Sequence, residues 1–412
     1  MTSAGGGGSR GSSPLPERAA AGGGSRGSSP LQERARVVLA PDKFKGSLTA
    51  AEVSSAVAAG LQRSRPDLEV VRVPVADGGD GTVAAALSAG FTFVEVVTTG
   101  PTGLPVHTGY AMQGQRAVVE LADVVGLARL PGRRLDPLGS STFGLGVVVG
   151  DAIDRGATEI VLGIGGSAST DGGAGLVQAL GASLTDVDGH ELAPGGAALL
   201  RLHGVDLSTL RARIGAVRFV VACDVDNPLL GPNGAAAVFG PQKGAGPAEL
   251  EQLERSLTVW SRVVAETTGS DVAATPGAGA AGGTGFAALA LLGAELRPGI
   301  ELVLDLVGFD RLLAGADLVV TGEGSLDEQS LAGKAPIGVA RAAARAGVPV
   351  VAVAGRNVLS ADQLRDAGIL AAYPLNELEP DLARSMTHAA DLLSRVGSRI
   401  AEDWLSLAQE AP

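Results

Sequence analysis

Short runs of β-branched and aliphatic residues alternate with small-residue helical stretches along most of this chain, and that alternation limits the fold more than any other feature. Val37 to Ala40 is apolar and stops at Pro41; Thr49-Ala50-Ala51-Glu52 then makes a capping box ahead of Val53, Val57 and Leu61 at helical spacing. Val70 to Val75 reads as the next strand, with a glycine-rich loop and a helix from about Thr82 behind it. The same order recurs at Glu159 to Ile164, Phe219 to Cys223, Leu318 to Thr321 and Val348 to Ala354, each run closed by a loop of Gly, Ser or acidic residues. Repetition of strand, loop and helix predicts parallel βαβ units and an α/β fold. Ligands of such sheets gather beyond the carboxyl ends of the strands, which makes the polar loops the place to look for chemistry.

A chain of 412 residues outgrows one core and predicts two domains. Val94 to Gly283, where alternation is less regular, reads as the second. Before the folded part, GGGSRGSSPL at 6 to 15 recurs letter for letter at 22 to 31. Gly, Ser, Arg and Pro without apolar periodicity cannot offset chain entropy, so residues 1 to 35 read as a disordered low-complexity arm with no signal-peptide core.

The formal charge of −12 argues against a nucleic-acid binder, and no apolar run is long enough to span a membrane. Cys223 is the lone cysteine, which suits a reducing compartment, and His107, His190, His203 and His388 lack the spacing of a zinc site. Only four lysines, Lys43, Lys45, Lys243 and Lys334, occur among 32 basic residues, all in Gly/Pro-punctuated segments. Where arginine serves as the general cation, a retained lysine points to a compact ammonium with a task. Lys43 and Lys45 flank a helix N-terminus, a natural anion site.

Four loops offer chemistry. Asp77-Gly78-Gly79-Asp80-Gly81-Thr82 places two carboxylates among glycines that admit a phosphate, and its GGDGT string also resembles the nucleotide loop of the NAD kinase and diacylglycerol kinase group. Gly163 to Gly175 pairs flexible backbone with the hydroxyls of Ser167, Ser169 and Thr170 and reads as a phosphate loop, though not of the GxxxxGK[ST] type. Asp224 and Asp226 follow a strand directly, as do Glu323 and Asp327 in the segment from Thr321; an Asx turn or a helix cap would explain some of these acids. Pro276 to Gly285 reads as a hinge or cradle.

Together these strings resemble the bacterial glycerate kinases that are unrelated to P-loop kinases. The matching segments are APDKFKGSLTA at 40 to 50, PVADGGDGT at 74 to 82, GIGGSASTDGGAG at 163 to 175, ACDVDNPLLGPNGA at 222 to 235, FGPQKGA at 239 to 245, GAGAAGGTGFA at 277 to 287 and TGEGSLDEQSLAGKAPIGVA at 321 to 340. The chain departs from the family pattern at Lys43, where serine is usual, and at Val147, where glutamate is expected. The resemblance implies a Rossmann-like parallel-sheet domain built from both chain ends, residues 36–95 and 290–412, with residues 96–289 inserted as a second α/β domain. It implies ATP, Mg²⁺ and glycerate as ligands, a cytoplasmic enzyme, and transfer of the γ-phosphoryl group with 2-phosphoglycerate favoured. A homodimer stays open.

On that basis Asp224 is the expected base, with Asp171 as second choice and Lys45 beside them in the catalytic set. Lys45, Ser47 and Arg356 are expected to bind the acceptor. Gly165, Gly166, Ser167, Ser169, Thr170, Gly172 and Gly173, with Gly78, Gly79, Lys243 and Lys334, are expected to hold the nucleotide. Asp77, Asp80 and Glu323 are expected to hold the metal. Two other readings stay open: a protein of this fold that binds a hydroxy acid or nucleotide without turnover, and a GGDGT-type kinase for another acceptor.

Overall fold

The strands of the computed structural model, which describes residues 34–331 and 333–405, follow the apolar runs of the sequence closely. They are β1 (Arg36–Pro41), β2 (Glu69–Arg72), β3 (Thr92–Thr99), β4 (Pro105–Gln113), β5 (Arg116–Glu120), β6 (Glu159–Gly163), β7 (Ser183–Thr185), β8 (Gly204–Asp206), β9 (Arg218–Ala222), β10 (Glu295–Arg297), β11 (Leu318–Leu326), β12 (Val350–Asn357) and β13 (Ala371–Pro374). The arm expected over residues 1 to 35 lies outside the described residues, apart from Arg34 and Ala35.

Two sheets carry the architecture. The first, in the order β13-β12-β11-β1-β2, is wholly parallel and draws its strands from the two ends of the chain. The second, in the order β10-β9-β6-β5-β4-β3, is parallel from β10 to β5 and antiparallel beyond. A small hairpin pairs β7 with β8.

Strands buried on both faces explain why these runs are continuously apolar rather than alternating. In β1, Val37 and Leu39 pack with Val53, Val57 and Leu61 of the helix Ala50–Ser64 and with Leu393 and Ile400 of the helix Ala389–Trp404. Val38 and Ala40 face the other way, toward Ile300 and Val303 of the helix Gly299–Leu306 and Ile337 and Val339 of the helix Ala335–Arg345. The Thr49–Glu52 capping box forms as the sequence predicts, with the Glu52 amide donating to Thr49 Oγ1 and Glu52 Oε2 accepting from the Thr49 amide.

The helix Gly299–Leu306 belongs to both sheets. Ile300, Val303 and Leu304 join the core of the first, while Leu302 and Leu306 pack with Val118, Val161 and Val220 of the second. Thr82–Ser88 does the same with Ala85 on one side and Val83 and Ala86 on the other. These two helices therefore fix how the carboxyl ends of the two sets of strands face one another.

Two expected elements differ in extent. β2 ends at Arg72 because Pro74 has no amide to donate, although the Val73 and Val75 amides still reach Leu39 and Pro41 carbonyls. β11 runs to Leu326, five residues beyond the expected Thr321, and carries Glu323 inside the strand.

Candidate active site

In the first sheet the strand order reverses direction between β1 and β11, the switch point at which open parallel sheets bind ligands. The Asp42 amide donates to the Gly322 carbonyl there at 2.8 Å, so Asp42 and Glu323 emerge side by side from neighbouring strand ends. In the second sheet Glu120, Gly163 and Ala222 share one register row, which brings the ends of β5, β6 and β9 level. A cavity of about 1240 Å³ opens between these two groups of strand ends.

Of the expected site residues, the cavity is lined by Lys45, Ser47, Asp77, Gly79, Asp80, Gly165, Gly166, Glu323, Lys334 and Arg356. All three expected metal ligands and all three expected acceptor ligands thus line the same cavity, though the carboxylates of Asp77, Asp80 and Glu323 do not all lie within 4.8 Å of one another. Asp77 and Asp80 are carried in by a loop that is held from the second sheet. Glu120 accepts from the amides of Gly81 at 3.1 Å and Val83 at 3.2 Å, and a Cβ on Gly163 would stand 2.7 Å from the Gly78 carbonyl oxygen. Lys43 pairs with Asp80, through Oδ2 at 3.3 Å and through its carbonyl, so this lysine neutralises one of the loop carboxylates. Arg356 donates through Nε to Ser325 Oγ at 2.9 Å.

Burial raises three of the carboxylates in this region. Burial pushes Asp42 up to about 7, reinforced by the charge of Asp77 and opposed by Lys43. Burial also drives Glu120 to about 7, and raises Glu323, whose Oε1 is buried without a hydrogen-bond partner among the described residues. Neither Asp42 nor Glu120 figures among the expected site residues. Asp42 could have been found from its place directly after the first strand; Glu120 had no such signal, because it ends a strand whose partner loop lies 39 residues away.

The Gly163–Gly175 loop departs from expectation. Only its first residues, Gly165 and Gly166, reach the cavity; Ser167, Ser169, Thr170, Gly172 and Gly173 are buried on the far side. Gly172 donates to the Gly282 carbonyl, Trp260 Nε1 donates to the Gly172 carbonyl at 2.9 Å, and a Cβ on Gly282, where φ is +69°, would fall 2.1 Å from the Ser169 carbonyl oxygen. The Pro276–Gly285 segment is therefore the packing partner of this loop. Lys243 is 1% exposed and donates to Ser167 Oγ at 2.7 Å and to the Ser169 carbonyl. Burial lowers it to about 7, against the opposing pull of Asp171. It braces the loop from within and does not line the cavity.

Both expected bases lie elsewhere as well. Asp171 is fully buried and accepts from the Thr142 amide at 2.7 Å, Thr142 Oγ1 at 2.8 Å, Ser141 Oγ, and the amides of Gly173 and Gly175, so it does not line the cavity. Asp224 lines a second cavity of about 790 Å³. Burial raises it to about 6, and its Oδ1 accepts from the Gly299 amide at 2.8 Å. A Cβ on Gly299 would lie 1.9 Å from the Asp77 carbonyl oxygen, so Asp224 holds the backbone against which the Asp77 loop rests.

A two-sheet α/β scaffold that converges acids, lysines and arginines at a switch point is the arrangement of an α/β enzyme with its site in a cleft. Among known proteins, the chain matches the glycerate kinase family over residues 37–405. It is 43% identical to glycerate kinase of Bacillus subtilis strain 168 and 42% identical to glycerate 2-kinase of Escherichia coli K12, in each case over 89% of this chain and 97% of the relative. The crystal structure of a candidate glycerate kinase 2 from Salmonella typhimurium LT2 superimposes with a TM-score of 0.79 at 41% identity, covering 90% of this chain and 98% of that one. The chain belongs to the glycerate kinase family, and it is a kinase.

Proposed function

We propose that this protein transfers the γ-phosphoryl group of ATP to a hydroxyl of glycerate with Mg²⁺, in the cytoplasm, giving 2-phosphoglycerate in preference to the 3-phospho product. The observation that carries this reading is the convergence of Asp42, Asp77, Asp80 and Glu323 with Lys45, Lys334 and Arg356 around one cavity in a chain of this family. The Escherichia coli relative, named a 2-kinase, favours the position of transfer.

The cavity offers a divalent cation hard oxygens, although the carboxylates of Asp77, Asp80 and Glu323 do not all lie within 4.8 Å of one another. The cavity has seven carboxylate side chains against five cationic ones, which would repel a bare triphosphate, and the unpartnered Oε1 of Glu323 is a hard oxygen of the kind Mg²⁺ prefers. One or two of Asp77, Asp80 and Glu323 would hold it, with water or phosphate oxygens as its other ligands, and when bound it would screen the charge that moves during transfer.

The chain's own groups then divide the work. Lys45 and Arg356 hold the glycerate carboxylate, the arginine by a paired contact that its bond to Ser325 pre-orients. Asp42, which lines the cavity where Asp171 and Asp224 do not, takes the proton of the attacking hydroxyl. Lys334 faces the phosphates, Asp224 positions Gly299 and the Asp77 loop, and Asp171 with Lys243 keeps Gly165 and Gly166 in place. A coupled assay of ADP release, with and without D-glycerate and with EDTA as control, tests the reading: release must require both glycerate and Mg²⁺.

A further inference from the structure

We infer that the wall of the large cavity formed by residues 375–389 is a subsite for the nucleotide's base, a purine of the adenine type that lies on the face of the helix Leu382–Thr387 and is read at its edge by Asn376. This deepens the kinase reading and rests on it.

The wall carries two large open apolar side chains, Leu382 and Met386, and its one lining carboxylate, Glu379, is paired with Arg384 at 3.4 Å. Leu382 and Met386 stand four residues apart on the helix Leu382–Thr387 and both line the cavity with their side chains open, while Ser385 beside them and Ala389 at the start of the next helix line it from buried positions. Leu382 is 70% exposed and Met386 38% exposed, a large apolar surface left open inside a concave site. An aliphatic shelf of this kind suits the flat face of a base and offers nothing to a three-carbon hydroxy acid.

The facing wall is fastened to it at one point. Ser47 Oγ donates to the Met386 carbonyl at 2.7 Å, and Gly46, at φ +78°, leaves room where a Cβ would stand 3.3 Å from Met386 Cε. The shelf is thus set at a fixed separation from Phe44 and Lys45.

Strand order supplies the distance. The shelf follows β13, which lies two strands from β11 with β12 between them. At ordinary strand spacing that is roughly 10 Å. This matches the reach from a nucleotide's terminal phosphates, placed at Glu323 and Lys334, back to its base. Asn376 is exposed in the cavity and has no hydrogen-bond partner among the described residues; its amide offers one donor and one acceptor, the complement of the adenine N6 and N7 edge.

The test compares Mg·ADP with Mg·pyrophosphate by titration calorimetry on wild-type protein, Leu382→Glu and Asn376→Ala. Both positions are exposed, so neither change disturbs the fold. Leu382→Glu should weaken Mg·ADP about tenfold or more while Mg·pyrophosphate binding and KM for glycerate stay as in wild type. Asn376→Ala should narrow the preference for ADP over IDP, which differs at the base edge. Wild-type affinity for Mg·ADP in Leu382→Glu overturns the subsite and leaves the kinase reading standing. Failure of the wild-type protein to bind Mg·ADP at all overturns the kinase reading itself, and the subsite with it.

Discussion

The Asp42 amide donates to the Gly322 carbonyl at 2.8 Å, which ties the end of the first strand to a strand nearly three hundred residues later and sets two buried carboxylates, Asp42 and Glu323, next to each other. Their repulsion and burial are sustained by the fold alone, and that stored cost points to a site shaped for something positive and something that yields a proton.

If Asp42 accepts the hydroxyl proton, Asp42→Asn keeps the shape and the contact with the Lys43 amide but loses the base. We predict a fall in kcat of about 100-fold or more with KM for glycerate and ATP little changed. Steady-state kinetics check it, and a kcat within a few-fold of wild type removes Asp42 from the role. The same experiment on Asp224→Asn should show a smaller loss, because that residue acts through Gly299.

Arg356 and Lys45 point to the acceptor's carboxylate. Arg356→Ala should raise KM for glycerate by about tenfold or more and leave KM for ATP near its starting value. Equal effects on both constants would move Arg356 to the phosphates.

The buried hydroxyls of the Gly163–Gly175 loop give a contrast. Thr170 Oγ1 and Ser169 Oγ have no hydrogen-bond partner among the described residues. Thr170→Val should therefore be neutral or stabilising in urea denaturation and leave KM for ATP unchanged. A raised KM would restore the phosphate-loop role. Lys243→Met should instead cost about 1–3 kcal/mol, since it strips the Ser169 carbonyl of its buried donor.

Glu120 makes stability depend on pH. Burial holds its folded value at about 7, above the ordinary 4.5 of a glutamate, so the folded state binds more protons over that interval and stability falls as pH rises through it. Glu120→Gln does not titrate. Denaturation at pH 5 and pH 8 should show wild type losing on the order of 2 kcal/mol relative to the variant. Parallel behaviour at both pH values would mean that Glu120 is not held in the raised state.

Much of this was legible in the residues. Apolar runs placed β1, β6, β9, β11 and β12, the Thr49–Glu52 box placed its helix, and Asp77 and Asp80 in their glycine loop and Glu323 after its strand do line the cavity. What stayed hidden was which side of a loop faces outward. Gly172, Gly173, Ser169 and Thr170 are small and flexible for the sake of Gly282, Trp260 and Lys243 packed against them, and a close protein backbone asks for the same residue types as a phosphate. Asp42 carries no loop signature of its own beside Lys43 and Lys45, and the partners of Glu120, Gly81 and Val83, are joined to it only by the pairing of two distant segments.

The most direct measurement is phosphorus NMR of the purified protein incubated with ATP, Mg²⁺ and D-glycerate. The account predicts one new phosphomonoester resonance, coupled to the C2 proton of glycerate, that fails to appear when Mg²⁺ is chelated. No phosphomonoester from folded protein with all three components present would contradict it.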